Sequence, residues 1–249
     1  MFFNPSVINV SFPSIQAFSP IALWSPPLAR SVASRSSTET MQVCLCMTIT
    51  LPIRVFVYGT LKRGEPNANV MTETEGQHRF LGTGRTKTPF PLIVASKYNI
   101  PFVLNEPGKG YQVEGEVYEI DDVKLKVLDD LEAYPTLYWR QIESIVMENN
   151  TEISAWIYLM RKWRPDIYES ATPMMSNYSS KGSHGKEYVS RYIRAKEMLD
   201  DPNYNLHADI QGGDPSDPVT KAASHAKAVE DAKNQAQCHP TKVVYHGLQ

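Results

Sequence analysis

The chain has 249 residues, 42% apolar and 21% charged, enough for one sizeable domain with extensions. Its 25 basic and 27 acidic residues leave a formal charge of -2 without a clustered basic excess, which argues against a nucleic-acid partner. No run approaches the roughly 18 consecutive apolar residues of a membrane span, and three cysteines, Cys44, Cys46 and Cys238, form no disulfide framework, as in a reducing compartment.

Residues 1–52 form a Ser- and Pro-rich leader that lacks acid until Glu39. Such a composition is compatible with a mitochondrial transit segment. Pro5, Pro13, Pro20, Pro26 and Pro27 would break the amphipathic helix that import uses, so a disordered extension on a cytosolic protein is expected instead. The Cys44-x-Cys46 pair has no second ligand pair nearby, and no metal is expected there.

The globular part is expected over 53–207. Val55-Phe56-Val57 predicts a strand that stops at Tyr58-Gly59 and opens into the turn Tyr58-Gly59-Thr60-Leu61-Lys62-Arg63-Gly64. Gly59 lets a ligand or another backbone approach closely, and consecutive N–H groups leaving such a turn can converge on an anion. Arg63 to Asn69 reads as polar loop. Strands are predicted over 79–88, 91–96 and 101–105, and the alternation of 112–120 predicts a half-buried antiparallel strand. Asp121 or Asp122 caps a helix to about Tyr134, and strands 138–147 and 154–160 flank an Asn149-Asn150 turn. A further helix is expected over 186–199. These elements predict an α+β fold, a small, mostly antiparallel β-barrel with flanking α-helices. The tail 208–249 is polar and Ala-rich. Its weak stripe of Ala222, Ala223, Ala226, Val229 and Ala232 predicts a disordered segment or a frayed, solvated helix, with no chemistry of its own.

One residue of the 121–134 helix departs from the amphipathic pattern. Leu125, Leu128 and Leu131 mark the core face, and at about 100° per residue Glu132 falls between Leu125 and Leu128. Asp129 and Asp130 point to the side and to solvent. A Glu on an apolar face is seldom buried without a partner, and either Arg140 or Arg54 is a candidate partner. Without one, burial raises its pKa, which suits a group that collects and returns a proton near neutrality. Pro135 ends the helix and leaves Glu132 in its last turn, where the dipole also disfavours a carboxylate.

Five blocks in order resemble the γ-glutamylcyclotransferase-like superfamily, in its AIG2-like branch. They are V-F-V-Y-G-T-L-K-R-G at 55–64, P-F-P-L-I-V-A at 89–95, N-I-P-F-V-L at 99–104, V-E-G-E-V-Y at 113–118 and L-D-D-L-E-A-Y-P-T-L-Y-W-R at 128–140. Y-S-S-K-G-S-H-G at 178–185 is similar to the family's C-terminal segment, and the likeness spans roughly 54–190. The resemblance implies a small-molecule γ-glutamyl substrate whose α-amine attacks its own γ-carbonyl, releasing 5-oxoproline and an amine. That reaction calls for no Ser or Cys nucleophile, no metal and no cofactor. Glu132 matches the family's acid/base residue, and Tyr58, Gly59, Thr60 and Leu61 match its substrate-binding turn. Tyr178 and His184 are candidates for the pocket, with closure of 178–185 excluding water, while Tyr118 and Tyr138 read as core or cavity-wall aromatics. The resemblance further implies γ-glutamyl amines such as γ-glutamyl-ε-lysine, left by breakdown of transglutaminase cross-links, as substrates. Separately, a monomer in the cytosol is expected. The alternatives are γ-glutamyl amino acids or glutathione-like peptides as substrates, or a non-catalytic binding module of the same fold.

Overall fold

The computed structural model describes residues 52–201 and 203–238, with side chains to 233. The expected leader, apart from residue 52, and the Cys44-x-Cys46 pair lie outside the described residues.

Strands β1 (Ile53–Val57), β2 (His78–Thr86), β5 (Glu114–Ile120), β6 (Trp139–Met147) and β7 (Glu152–Leu159) close into a barrel in the order β1-β5-β2-β6-β7. All pairs are antiparallel except the closing one, where β1 runs parallel to β7 with Val55 beside Trp156 and Phe56 beside Ile157. Strands β3 (Leu92–Ala95) and β4 (Ile100–Val103) form a separate two-stranded sheet. The α+β barrel with flanking helices is therefore the fold observed.

Period-2 alternation divides the apolar residues between two cores. Val55, Val57, Tyr118 and Ile120 share one core with Leu128 and the helices, whereas Phe56, Val117, Ile157 and Leu159 share the other with Phe90, Leu92 and Tyr178. Strand β5 is more buried than its alternation predicts, because its Glu116 is covered too. Arg63 pairs with Glu116 at 3.0 Å and the Tyr118 hydroxyl donates to it at 2.8 Å, so the carboxylate is satisfied.

Helix α2 (Asp122–Leu131) starts on Asp121, whose side chain accepts from the Lys124 N–H. The predicted polar loop 63–69 instead gives way to a short helix, α1 (Ala68–Glu73). Its single turn and a half buries only Val70 and Met71, too few apolar positions for a helical period to register in the sequence. Lys124 of α2 is fully buried against α1, with Nζ donating to Val70 O, Thr74 O and Thr74 Oγ1 at 3.3, 2.9 and 2.8 Å. Burial pulls its pKa down, while Asp121 opposes the shift. We expect Lys124→Met to lower stability by about 2–3 kcal/mol in urea denaturation, since it leaves buried carbonyl groups without donors.

After the short helix α3 (Ile167–Ser170), helix α4 (Arg191–Asp200) begins at Ser190, later than the predicted start at Lys186. The preceding backbone is drawn into contacts with the β3–β4 turn: Val189 N–H donates to Tyr98 O, and Asn99 Nδ2 donates to Glu187 O. The expected domain limit at 207 falls inside α5 (Leu206–Gln211). Beyond it, 218–238 forms one helix, α6 (Pro218–Cys238), which packs on α4 and α5 rather than lying free in solvent. Among the described side chains of α6 the buried residues are Ser224, Ala228 and Asp231, two of them polar, while Ala232 of the apolar stripe is only partly buried, so the stripe marks the docked face poorly.

Candidate active site

The end of β1, the end of α2 and the face formed by α4 and α6 together line one cavity of about 90 Å³. At roughly 10–15 Å³ for each water, it holds several. Tyr58, Gly59, Thr60 and Leu61 line it beside Glu132, so the structure brings the predicted turn and the predicted carboxylate together.

The turn is held from behind. Lys62 N–H donates to Gly59 O, and Asn67 N–H donates to Thr60 O at 2.9 Å. Asn67 Nδ2 donates to Thr60 Oγ1 at 2.9 Å and to the Tyr188 hydroxyl at 3.0 Å, and Arg194 of α4 donates to that same hydroxyl at 3.1 Å. Among the described residues, nothing accepts from the N–H groups of Gly59, Thr60 or Leu61. Three successive N–H groups without internal acceptors thus stand at the wall of a cavity, donors for which the described residues offer no partner. Asn67 and Tyr188 were not singled out from the sequence, because a polar loop residue and an isolated Tyr carry no signal until the loop closes on them. We expect Asn67→Ala to raise KM roughly tenfold with a smaller change in kcat, about 1.4 kcal/mol of ground-state binding. Steady-state kinetics checks this.

The Tyr58 ring serves as an anchor. It is buried in the second core, and its hydroxyl donates to Tyr158 O at 2.8 Å, while part of the residue also lines the cavity. Tyr138 stacks on Phe102 at 5.8 Å and donates to Pro101 O at 3.1 Å, which makes it a cavity-wall aromatic. Tyr118 lies away from the cavity in the core, bonded to Glu116.

Glu132 is the C-cap residue of α2, one position beyond the expected last turn, with φ -84° and ψ 3°. Ala133 follows at φ 48°, so the chain leaves the helix before reaching Pro135. Neither arginine considered as a partner reaches Glu132. Arg140 makes a two-pronged contact with Asp129 at 2.8 and 3.2 Å, and Arg54 lies 3.6 Å from Glu119. Asp129 is thus no solvent-facing residue; it also accepts from the Tyr158 hydroxyl at 2.7 Å. Among the described residues, none donates a hydrogen bond to the Glu132 carboxyl. Burial pushes its pKa up to about 7, with Lys227 of α6 and Arg194 of α4 pulling the other way. Burial also raises the phenol pKa values of Tyr58 and Tyr138, which keeps both as neutral walls near the carboxyl.

Tyr178 and His184 are placed elsewhere. Lys62 Nζ donates to Tyr178 O and to Asn177 Oδ1, each at 2.6 Å, and Ser180 N–H donates to Glu65 at 2.8 Å. His184 stacks on Tyr178 at 5.9 Å and its Nε2 lies 2.8 Å from Ser179 O. The 178–185 segment therefore buttresses the outer part of the turn and does not line the cavity. The α4–α6 face stands where closure by that segment was expected. The described residues hold no group of three or more His, Cys, Asp or Glu that could ligate a metal, and no helix among them is long and apolar enough to cross a membrane.

Known proteins match this part of the chain. The family model for gamma-glutamyl cyclotransferase, AIG2-like, matches residues 55–179. A Drosophila melanogaster protein bearing a gamma-glutamylcyclotransferase name is 47% identical over 152 residues, covering 61% of this chain and 94% of that protein. The Homo sapiens gamma-glutamylaminecyclotransferase is 38% identical over 152 residues, covering 56% and 98%. A crystal structure of a Mus musculus AIG2-like protein superposes with a TM-score of 0.53 at 38% identity, covering 56% of this chain and 96% of that one.

Proposed function

Because the chain belongs to the AIG2-like gamma-glutamyl cyclotransferase family, we propose that it cleaves γ-glutamyl amines, such as γ-glutamyl-ε-lysine, to 5-oxoproline and a free amine. The observation that carries this reading is the single cavity shared by an unpartnered carboxyl of raised pKa and a turn with three free N–H groups.

The substrate's α-carboxylate docks on the N–H groups of Gly59, Thr60 and Leu61. This curls the glutamyl chain so that its α-amine faces its own γ-carbonyl. Held in that geometry, attack is intramolecular, and effective molarity lowers the barrier without any protein nucleophile. The nitrogen–carbon bond of the ring forms as Glu132, ionised, takes a proton from the attacking amine. The tetrahedral intermediate collapses, the bond to the leaving nitrogen breaks, and Glu132 returns its proton to that nitrogen. One carboxyl with a pKa near 7 is suited to both transfers at neutral pH. The tyrosine walls around Glu132 limit water access.

Relatives at 38–41% identity carry the aminecyclotransferase name, whereas the 47% identical Drosophila melanogaster relative carries the gamma-glutamylcyclotransferase name, so γ-glutamyl amino acids stand as the second reading. The test is to measure 5-oxoproline release from γ-glutamyl-ε-lysine, a γ-glutamyl amino acid and glutathione. Product from the first, several-fold faster than from the others, is expected. Release from none would sink the reading and leave a binding module.

A further inference from the structure

Among the described residues, four tyrosines line the cavity: Tyr58, Tyr138, Tyr158 and Tyr188. Three of them direct the hydroxyl proton into the protein, Tyr58 to Tyr158 O, Tyr138 to Pro101 O and Tyr158 to Asp129. Tyr188 differs. Its oxygen accepts from Asn67 Nδ2 at 3.0 Å and from Arg194 Nη2 at 3.1 Å, and among the described residues nothing accepts its own proton. Two incoming hydrogen bonds occupy both lone pairs of a hydroxyl oxygen, so what remains is the O–H donor. On a residue only 9% exposed, that donor is left for whatever fills the cavity.

The group behind this hydroxyl is a cation. Arg194, half-buried on α4, forms no ion pair among the described residues. Its guanidinium instead serves Tyr188, bonded to the hydroxyl and 5.3 Å from the ring centre. A hydrogen bond received from a cation polarises the phenol and strengthens it as a donor. Both residues lie beyond the 55–179 segment that the family model matches.

Their neighbours place this donor relative to the chemistry. Asn67 also donates to Thr60 Oγ1 at 2.9 Å, so one side chain separates the Tyr188 hydroxyl from the turn that holds the α-carboxylate. On the other flank, Arg194 acts on Glu132, and the Tyr138 hydroxyl lies near both Glu132 and Tyr188. Between the carboxylate on the turn and the carboxyl that moves protons stands the substrate's γ-carbonyl, where negative charge develops.

We infer that Tyr188 is a catalytic residue whose hydroxyl donates to the γ-carbonyl oxygen as it becomes an oxyanion, with Arg194 as the positioning residue that sets this donor. The inference rests on the cyclotransferase reading and adds an oxyanion donor to it. As the α-amine attacks, the carbon–oxygen π pair moves onto oxygen, and Tyr188 bonds to that oxygen while keeping its proton. On collapse the pair returns, the bond to the leaving nitrogen breaks, and Glu132 supplies that nitrogen's proton. Three N–H groups already answer the α-carboxylate, so the oxyanion is the group still in need of a donor.

The test compares variants with the unmutated full chain above the bend near pH 7, where the pull of Arg194 on Glu132 ionisation no longer enters. Tyr188→Phe keeps the ring, and we expect it to lower kcat about 10²-fold with KM within about twofold. Arg194→Met should lower kcat about tenfold, and Arg194→Lys, which returns the charge, should recover most of that loss. A second readout uses a substrate analogue with an anionic phosphinate in place of the γ-carbonyl. It should bind the unmutated protein about 10²-fold more tightly than 5-oxoproline does. Tyr188→Phe should remove about tenfold of that preference and leave 5-oxoproline binding within about twofold. A kcat for Tyr188→Phe within about threefold of the parent overturns the inference. So does a raised KM at unchanged kcat, which puts the hydroxyl on the α-carboxylate, or equal losses for the phosphinate and 5-oxoproline, which mark structural support alone. Those results leave the cyclotransferase reading intact, whereas no 5-oxoproline from the unmutated protein overturns both.

Discussion

Glu132→Gln is expected to cut kcat/KM by at least about 10²-fold and up to about 10⁴-fold, the range carried by a positioned acid/base, and to make the protein more stable at the same time. The two effects have one cause. Burial disfavours the charged carboxyl and lifts its pKa from 4.5 to about 7. The stabilising contribution of the neutral form is complete below the unfolded value and is lost as pH rises through the folded one. Glutamine never ionises, so the stability difference between variant and parent should open between pH 4.5 and 7 and level off above. At about 1.4 kcal/mol per pKa unit its ceiling is about 3 kcal/mol. Denaturation at pH 5 and pH 8 reads the stability arm. For the parent, kcat/KM should rise with pH and bend near pH 7 as the carboxyl ionises. Burial sets that bend, with Lys227 and Arg194 opposing it, while the neutral phenols of Tyr58, Tyr138 and Tyr158 lie near the same carboxyl. Loss of activity without the pH-dependent gain in stability would mean that Glu132 is not the half-buried, desolvated and unpaired group described. Unchanged activity would remove it from the reaction altogether.

Gly115→Ala is expected to cost about 3 kcal/mol or more, among the larger effects of overpacking, and to impair the site as well. An added Cβ would lie 2.4 Å from Val57 O and 2.5 Å from Phe56 Cζ. The first neighbour is backbone of a central barrel strand, and the second is the tip of a ring with only 1% exposure, so neither yields without disturbing β1. Tyr58 to Leu61 follow directly from Val57, and any shift there moves the N–H groups that face the cavity. We therefore expect KM to rise in whatever fraction of the variant folds. A stability loss under 1 kcal/mol with unchanged KM would show that β1 is more compliant than its packing implies.

The barrel was legible because β1 stops at Tyr58-Gly59, β6 stops at Asn149-Asn150 and β5 alternates in sequence, and α2 because Asp121 is a side-chain cap with an apolar stripe behind it. Half of the candidate site was legible for the same local reasons: a strand that breaks at Tyr58-Gly59, and a carboxylate on the wrong face of a helix. Long-range partners were not. A helical wheel turns Asp129 to solvent, but it cannot see Arg140 and Tyr158 arriving from β6 and β7. The other wall of the cavity was hidden for a different reason. The residues that α6 buries include Ser224 and Asp231, and a buried polar face reads in sequence as a solvated one. The 178–185 segment misled in the opposite sense. Its bonds to Lys62 and Glu65 support the turn from outside, a role that spacing alone does not distinguish from pocket lining.

The parallel seam between β1 and β7 joins the first barrel strand to the last. It is the barrel pairing of greatest sequence separation, and it bears the largest loop-closure entropy. Gly59 to Leu61 lie just past that seam, so a chain that has paired its hairpins but not sealed the barrel has no ordered N–H groups to offer there. On the proposed function, a ligand whose carboxylate docks on those N–H groups binds the sealed form alone, and by mass action it should hold the seam shut.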